Sequence, residues 1–557
     1  MKTESCDVLI VGGGPCGLML ANELGRRNIR AVLVDQKQTT AFNPQANATQ
    51  ARTMEHYRRL GFSEQIRSSG LPPEFPSDIA YFTRFGRYEL ARLKLPSAEQ
   101  ARRVVLGLTG SWSAAELPHR VSQKFVEQVL RQQAEILPTI SVRYRHRLLD
   151  FSEGHQTVNA VVEDMDNGSH STIVSKYMIG ADGARSFVRD RLRFDYEGER
   201  GAVRDFLGGS MYAVYLRASE FYRAVEHAPA WMSVTFNLDR RAFMAAVDGF
   251  GEFAFHTQLR EGEDARAITE DDAKELFYAA VGMRVETQIL SRGPWTAGYT
   301  LVANKFKKGR VILAGDAVHL FTPTGGLGYN TAVEDAVNLG WKLASVVKGI
   351  SAPWLLDTYE SERRPIAIRN TKFARQFADS IGVRPSQDIE DEGFRGDEAR
   401  LNAGLYLKQH AEAEFNIPGI TFGGRYDGSP IVVSDGSAPP ADHANKYIPT
   451  ACPGGRPPHL WLDGARSLYD TFGFGWTLLR LSNKASAADG IAEAATAHGL
   501  DMKVVSVEHE GGRDLYDADL ALIRPDQIVA WRGSECDDPD ALIKTVAGIR
   551  PRGACAV

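Results

Sequence analysis

Gly12, Gly14 and Gly17 stand in the spacing G-x-G-x-x-G, with Gly13, Pro15 and Cys16 between them. An acid, Asp35, follows 18 residues after the last of these glycines, with Gln36 beside it. Each glycine has a physical task in such a turn. Gly12 permits a tight passage from strand to helix, Gly14 lets backbone approach a pyrophosphate, and Gly17 lets the helix pack close to a sheet. The helix N-terminus then offers free N–H groups and the positive end of its dipole to phosphate oxygens. An acidic side chain at Asp35 can hold a ribose hydroxyl. This is dinucleotide-binding chemistry. The plain alternative is a glycine-rich turn with no ligand.

Such a site needs particular elements around it, and they occur in order. Residues 7–11 are short, apolar and β-branched, as a buried strand requires; 18–24 suit a helix and 31–34 a second strand. Two later stretches have the same character. Residues 177–186 run a strand into Gly180-Ala181-Asp182-Gly183, followed by Arg185, Ser186 and Arg189. Alone, that is a capped turn with Asp182 as local acceptor. Residues 309–314 form a strand ending in Gly315-Asp316, followed by His319, Pro323 and Gly325-Gly326-Leu327-Gly328-Tyr329-Asn330. A helix follows, its apolar face made by Val333, Ala336, Val337, Gly340, Leu343 and Ala344.

In this order GxGxxG, GADGARSxVR and GDAxHxxxPxxGxGxN, spread over residues 5–345, resemble the class A flavoprotein monooxygenases. These are aromatic-ring hydroxylases with the p-hydroxybenzoate hydroxylase fold. The resemblance implies that the cofactor is FAD. It implies that Asp316 bonds a ribityl hydroxyl and that Pro323 sits beside the ring where oxygen reacts. The loop from Gly325 to Asn330, with Gly326, Gly328 and Tyr329 in it, would present backbone N–H groups to the flavin pyrimidine and phosphates. It further implies FAD contacts at Arg52 and Gln123, which otherwise suit a surface helix cation and a helix cap. Gln45 departs from the family, where many relatives carry a basic residue. Tyr329 departs too, where methionine is common.

Residues 206–255 hold eleven aromatics in fifty, 22% against 9% for the whole chain, and this marks them out as more than a connector. Met232, Val234, Phe236 and Leu238 alternate with Ser233, Thr235 and Asn237 in the strand period. An antiparallel sheet inserted between the second and third motifs is expected, and the resemblance makes it the substrate sheet. Tyr215 and Asn237 are candidate pocket residues; Tyr212, His256 and Asn47 are candidate catalytic residues. An ordinary sheet core is the alternative for each aromatic. Asn47 matches the position of an aspartate that activates the phenol in the phenol hydroxylase branch. An amide cannot act as a base, so a phenol here needs another base, a water chain or its own acidity.

The expected fold class is α/β. A Rossmann-like FAD domain (1–195 and 290–385, with 71–110 contributing to the substrate sheet) holds the inserted antiparallel sheet (196–289). Residues 386–445 are expected as a connection. Residues 446–557 resemble the thioredoxin-like C-terminal domain of longer phenol-hydroxylase-type relatives, without CxxC, so dithiol redox is not expected.

Composition sets the outer limits. The 557 residues are 43% hydrophobic and 24% charged, globular proportions that exclude wholesale disorder. A net charge of −5 offers no basic excess for nucleic acid or anionic membrane. Cys6, Cys16, Cys452, Cys536 and Cys555 are scattered, with no metal-ligand spacing, so no metal is expected and a reduced, cytoplasmic setting fits. The apolar run 8–11 is too short for a signal peptide, and no membrane span of ~18 apolar residues occurs. With the resemblance, these observations imply an FAD-dependent monooxygenase that hydroxylates a phenolic ring through a flavin C4a-hydroperoxide, with NADPH or NADH as transient co-substrate and O2 as oxidant. No second GxGxxG unit exists to hold a nicotinamide. Alternatives are a Baeyer–Villiger, epoxidising or polyketide-tailoring oxygenase on the same scaffold, or a non-catalytic flavoprotein binding an aromatic ligand. A homodimer is compatible with the resemblance.

Overall fold

The computed structural model describes residues 2–202, 204–482, 487–509 and 511–549; Cys555 and the end of the expected C-terminal domain lie outside them. The first strand, Lys2–Val11, runs parallel to Ala31–Asp35 on one side and to Ser169–Gly180 on the other. Ile140–Tyr144 extends the sheet past Ala31–Asp35, and Val311–Leu313 extends it past Ser169–Gly180, both in parallel. Val8, Leu9 and Ile10 have no solvent exposure. Parallel strands covered on both faces read as continuous apolar runs for this reason. Helices Pro15–Gly25, Gln123–Glu135 and Leu327–Val347 pack together around the first of them.

Register decides what these strands bring together. Val11 is the partner of Gly180, and Gly180 is the partner of Leu313. The glycine turn 12–17, the turn 181–186 and the segment 314–330 therefore leave the same carboxyl edge side by side. That edge of an open parallel sheet is where ligands bind.

A second sheet has seven strands in the spatial order Gln288–Ala297, Gly209–Arg217, Glu252–Gln258, Ala242–Ala246, Met232–Thr235, Ile79–Phe82 and Glu89–Leu93. All neighbours are antiparallel except Met232–Thr235 with Ile79–Phe82. The alternation expected through Leu238 stops early. Asn237 Oδ1 accepts the N–H groups of Asp239 and Arg240 and turns the chain there, leaving Leu238 41% exposed.

The stretch expected as a connection is not extended chain. It holds the 22-residue helix Phe394–Phe415 and the short helix Pro418–Phe422. Only a narrow stripe of the long helix is buried, including Leu407, His410, Ala411 and Glu414, so its apolar period is weak in sequence. The C-terminal unit is a four-stranded sheet, Met502–Ser506, Trp476–Arg480, Leu520–Ile523 and Val529–Gly533, with one parallel and two antiparallel pairings. It docks through buried ions. Arg524 donates to both oxygens of Glu362 at 2.7 and 2.9 Å, and Lys342 Nζ reaches the same carboxylate at 2.6 Å. Lys342 lies on the helix Leu327–Val347, which continues from the expected flavin loop. Among the described residues no helix is long and apolar enough to cross a membrane, and no group of three acidic, histidine or cysteine side chains could hold a metal ion.

Candidate flavin and substrate site

The glycine turn fits a bound pyrophosphate. A Cβ on Gly12, whose φ is +115°, would lie 2.1 Å from Ala181 O, and one on Gly17 would lie 1.9 Å from Gly12 O. These two positions are closed to side chains by the protein itself. A Cβ on Gly14 would meet no protein atom within 4 Å. Gly14 is also the N-cap of Pro15–Gly25 and supplies no side-chain cap, so the helix end is left for another acceptor. The Cys16 side chain is turned away from the turn's open side. It is buried toward Gly315, and burial holds its thiol well above the usual range.

Three carboxylates surround this edge. Asp35 Oδ2 accepts the Gly13 N–H at 2.6 Å and Oδ1 the Lys37 N–H at 2.7 Å, while Gln36 is exposed beside it. Asp182 accepts from Ser186 Oγ at 2.5 Å and from the Val188 N–H at 3.1 Å. Asp316 is exposed although protein surrounds it closely enough to raise its pKa by desolvation, the signature of a side chain lining a cleft. Pro323 is also exposed at this cleft, and Gly326 and Gly328 are partly exposed.

The segment 44–53 is tied to the flavin loop by Asn330. Its Oδ1 accepts the Gln50 N–H at 2.8 Å and Thr53 Oγ1 at 2.7 Å; its Nδ2 donates to Ala48 O at 3.0 Å and Gly326 O at 2.6 Å. Protein groups thus satisfy both donors and the oxygen of the Asn330 side-chain amide. Gly325 N–H, expected to face flavin, donates instead to Glu414 Oε1 at 2.9 Å. Tyr329 hydrogen-bonds Tyr57 through the two hydroxyls at 2.5 Å. Gln123 donates its side chain to Glu127 at 2.7 Å and its N–H to Ala46 O at 2.7 Å.

Arg52 is the largest correction. Its guanidinium donates to Glu55 at 2.9 Å, to Gln527 Oε1 at 3.1 Å and to the carbonyls of Asp526 and Gln527 at 3.3 and 3.0 Å. It clamps the C-terminal unit to the helix Ala51–Leu60.

Opposed residues in antiparallel pairs share a face. Register therefore sorts the substrate candidates. Ala213, His256 and Phe243 are mutual partners and lie on one face; Tyr212 and Thr257 lie on the other. Tyr212 is buried and its hydroxyl accepts from Arg292 at 3.0 Å, on the face whose Phe255 packs on Phe277 of Glu270–Val281. The His256 face is the one turned toward the flavin loop. Tyr81 on that face meets His410 edge-on, and Glu414, one turn further along that helix, holds Gly325. At the other end of this face Tyr215 is occupied: it accepts from Lys124 Nζ at 2.8 Å and donates to Glu252. Asn237 is fully buried in its turn. Tyr212, Tyr215 and Asn237 thus have structural partners, and of these candidates His256 and Asn47 remain.

His256 stacks on Phe243 with centroids 4.5 Å apart and meets Trp295 edge-on at 5.6 Å. Burial pushes its pKa down to about 4, so the ring is neutral near pH ~7. Asn47 donates a 3.5 Å contact to Pro44 O, and its buried Oδ1 has no hydrogen-bond partner among the described residues. Arg120 carries no motif in the sequence but stands beside these residues. The two-residue ribbon pairs Ala48 with Arg120, and a Cβ on Gly326 would lie 3.0 Å from the Ala48 methyl. Arg120 shares that face of the ribbon, and its guanidinium lies over Trp231 at 4.5 Å.

Comparison with known proteins agrees with this geometry. Residues 5–374 match the FAD binding domain family, and residues 450–549 match the aromatic-ring hydroxylase C-terminal family. Phenol 2-monooxygenase of Pseudomonas sp. (strain EST1001) is 29% identical over 97% of this chain and 92% of its own. Tetracenomycin B2 monooxygenase-dioxygenase of Streptomyces olivaceus is 30% identical over 97% of each chain. The solved structure of the rebeccamycin biosynthetic enzyme RebC with reduced flavin superposes with a TM-score of 0.87 at 30% identity, covering 98% of this chain and 99% of that one. The turn open at Gly14, the acids at the sheet edge and these matches converge: the chain belongs to the class A flavoprotein aromatic-ring monooxygenases of the phenol-hydroxylase type, and its cofactor is FAD.

Proposed function

We propose that this monooxygenase hydroxylates a phenolic aromatic ring, with NADPH or NADH as the electron donor and O2 as the oxidant. FAD, once reduced, supplies the activation of oxygen. The chain's residues bind, orient and shelter. Gly14 and the following helix end hold phosphates, and Asp35 and Asp316 hold sugar and ribityl hydroxyls. The observation that carries the reading is that the sheet face bearing His256, Phe243 and Trp295 is the one turned toward the loop 323–328. Aromatic walls there exclude water from the reacting ring. Neutral His256 can exchange a hydrogen bond with a substrate oxygen, whereas Asn47 can only orient one.

A polyketide-tailoring hydroxylation is the second reading. It is supported by the tetracenomycin enzyme and by a putative polyketide hydroxylase of Streptomyces halstedii, 29% identical over 95% of this chain. The test is NAD(P)H oxidation by the FAD-loaded protein, stimulated by simple phenols or by fused-ring polyketide phenols, with product mass. Gain of one oxygen with a simple phenol supports the first reading, and gain only with fused rings the second. Oxidation that no phenol accelerates would overturn both. The C-terminal sheet is proposed as a thioredoxin-like unit with a structural role, since its sequence has no CxxC.

A further inference from the structure

Arg120 is 5% exposed, yet among the described residues its guanidinium makes no hydrogen bond and no ion pair. Such a residue is unusual here. Buried Arg52, Arg363, Arg456 and Arg524 each meet a carboxylate, and buried Arg241, which meets none, donates to three backbone carbonyls. A buried cation without a counter-ion is costly, and proteins normally pair or neutralise it. Burial pushes the Arg120 pKa down to about 10, with Glu414 opposing that shift. Glu414 is the carboxylate that faces it, but it is engaged elsewhere: Oε1 accepts Gly325 N–H, and the other oxygen lies 2.9 Å from His410 Nε2.

The position is as telling as the missing partner. The ribbon pairing places the side chain on the face that Ala48 presents to Gly326 of the flavin loop. Trp231 at 4.5 Å and Phe415 at 5.9 Å hold the guanidinium between the substrate sheet and the helix Phe394–Phe415. Stacking on an aromatic face leaves the in-plane N–H groups free for an oxyanion.

We propose that Arg120 is the anchor for an anionic oxygen of the aromatic substrate, a ring carboxylate or an ionised phenol. The assignment rests on the hydroxylase reading and deepens it. Asn47 cannot deprotonate a phenol; a buried guanidinium favours the ionised form, so the phenol can leave its proton with solvent water or buffer and bind as the phenolate without a base at that position. Arg120 binds and positions substrate oxygen and transfers no proton itself.

The test uses the FAD-loaded protein and two pairs of colourless probes, each titrated by calorimetry and by change in flavin absorbance. One pair is 3-hydroxybenzoate and 3-hydroxybenzamide; the other is pentafluorophenol, ionised near neutral pH, and pentafluoroanisole. The anionic member of one pair is expected to bind at least tenfold more tightly than its neutral mate, and the pair that shows this identifies the group. Arg120→Met should abolish the preference, and Arg120→Lys should keep part of it. The Arg120→Met apoprotein should melt at or above the wild-type temperature, because an unpaired buried charge has gone. A purely structural cation would give the reverse: lower melting with unchanged probe binding. Wild type with no preference in either pair, or a preference that survives Arg120→Met, overturns the proposal. The binding preference is measured without turnover, so a protein that prefers the anion but whose NAD(P)H oxidation no phenol accelerates would count against the hydroxylase reading alone.

Discussion

Asp335 Oδ2 lies 2.7 Å from His319 Nε2, and neither side chain has any solvent exposure. The same carboxylate accepts the Gly315 N–H at 3.2 Å and Arg363 Nε at 2.7 Å. One acid on the helix after the flavin loop thus fixes the Gly-Asp turn before it. Burial works against the charge of Asp335, but His319 and Arg363 hold its pKa below the usual carboxylate range. Asp335→Asn leaves Arg363 facing a neutral amide. Glu334 at 3.0 Å still meets the guanidinium, so the loss is that of the charged hydrogen bonds to Asp335, about 1.5–3 kcal/mol. Denaturant unfolding of the apoprotein measures that loss, and a curve superimposable on wild type would remove Asp335 from this role.

Gly14 and Gly17 separate cofactor binding from folding. Gly14→Ala places a methyl in open space at an ordinary φ of −83°, so the apoprotein should keep its wild-type melting temperature. FAD affinity should fall at least tenfold, about 1.4 kcal/mol. Gly17→Ala drives a methyl into Gly12 O and should destabilise the apoprotein itself. Thermal melts with and without FAD distinguish the two; identical behaviour of the variants contradicts the assignment.

Asp316→Ala should weaken FAD binding tenfold to a hundredfold, since hydrogen bonds to charged groups contribute ~1.5–3 kcal/mol. Flavin fluorescence titration reads this directly, and unchanged affinity would place Asp316 outside the cofactor's reach.

Arg52→Ala should loosen the C-terminal unit and leave the flavin spectrum intact. Glu55 keeps Arg456 at 2.6 Å, so the loss is that of the remaining charged hydrogen bonds, about 1.5–3 kcal/mol. Earlier proteolytic release of the C-terminal unit is the expected sign. A shifted flavin spectrum with normal proteolysis would return Arg52 to the cofactor.

His459 makes stability sensitive to acid. It is buried, and burial with Arg456 beside it pushes its pKa down to about 3. In the unfolded chain it titrates near ~6.5. Between these values the unfolded state binds a proton that the folded state excludes. Stability therefore falls as pH drops below ~6.5, by about 1.4 kcal/mol per pH unit, and is unaffected above. His459→Gln should reduce the loss between about pH 7 and pH 5 by about 2 kcal/mol. Urea unfolding at the two pH values checks this, and equal losses in variant and wild type refute it.

The cofactor turn was legible in sequence because its constraints are local. Backbone sterics demand glycine at 12 and 17, and neither demand depends on the rest of the chain except through the strand beside it. That three such turns share one edge is a matter of register, Val11 to Gly180 to Leu313, between segments more than a hundred residues apart. The substrate side was much less legible. An aromatic or amide in a strand declares its type, but its face follows from pairing, so Tyr212 turned to a helix and Tyr215 to Lys124. Arg52 and Asn330 were legible as polar groups near the motif, yet tertiary contacts occupy them with protein. Arg120 carried no signal, because what distinguishes it is the lack of an acceptor. Sequence determined which backbone could cradle a dinucleotide. Only the packing of distant segments decided which side chains were left free to meet a ligand, since hydrogen-bonding capacity is finite and neighbours in space claim it first.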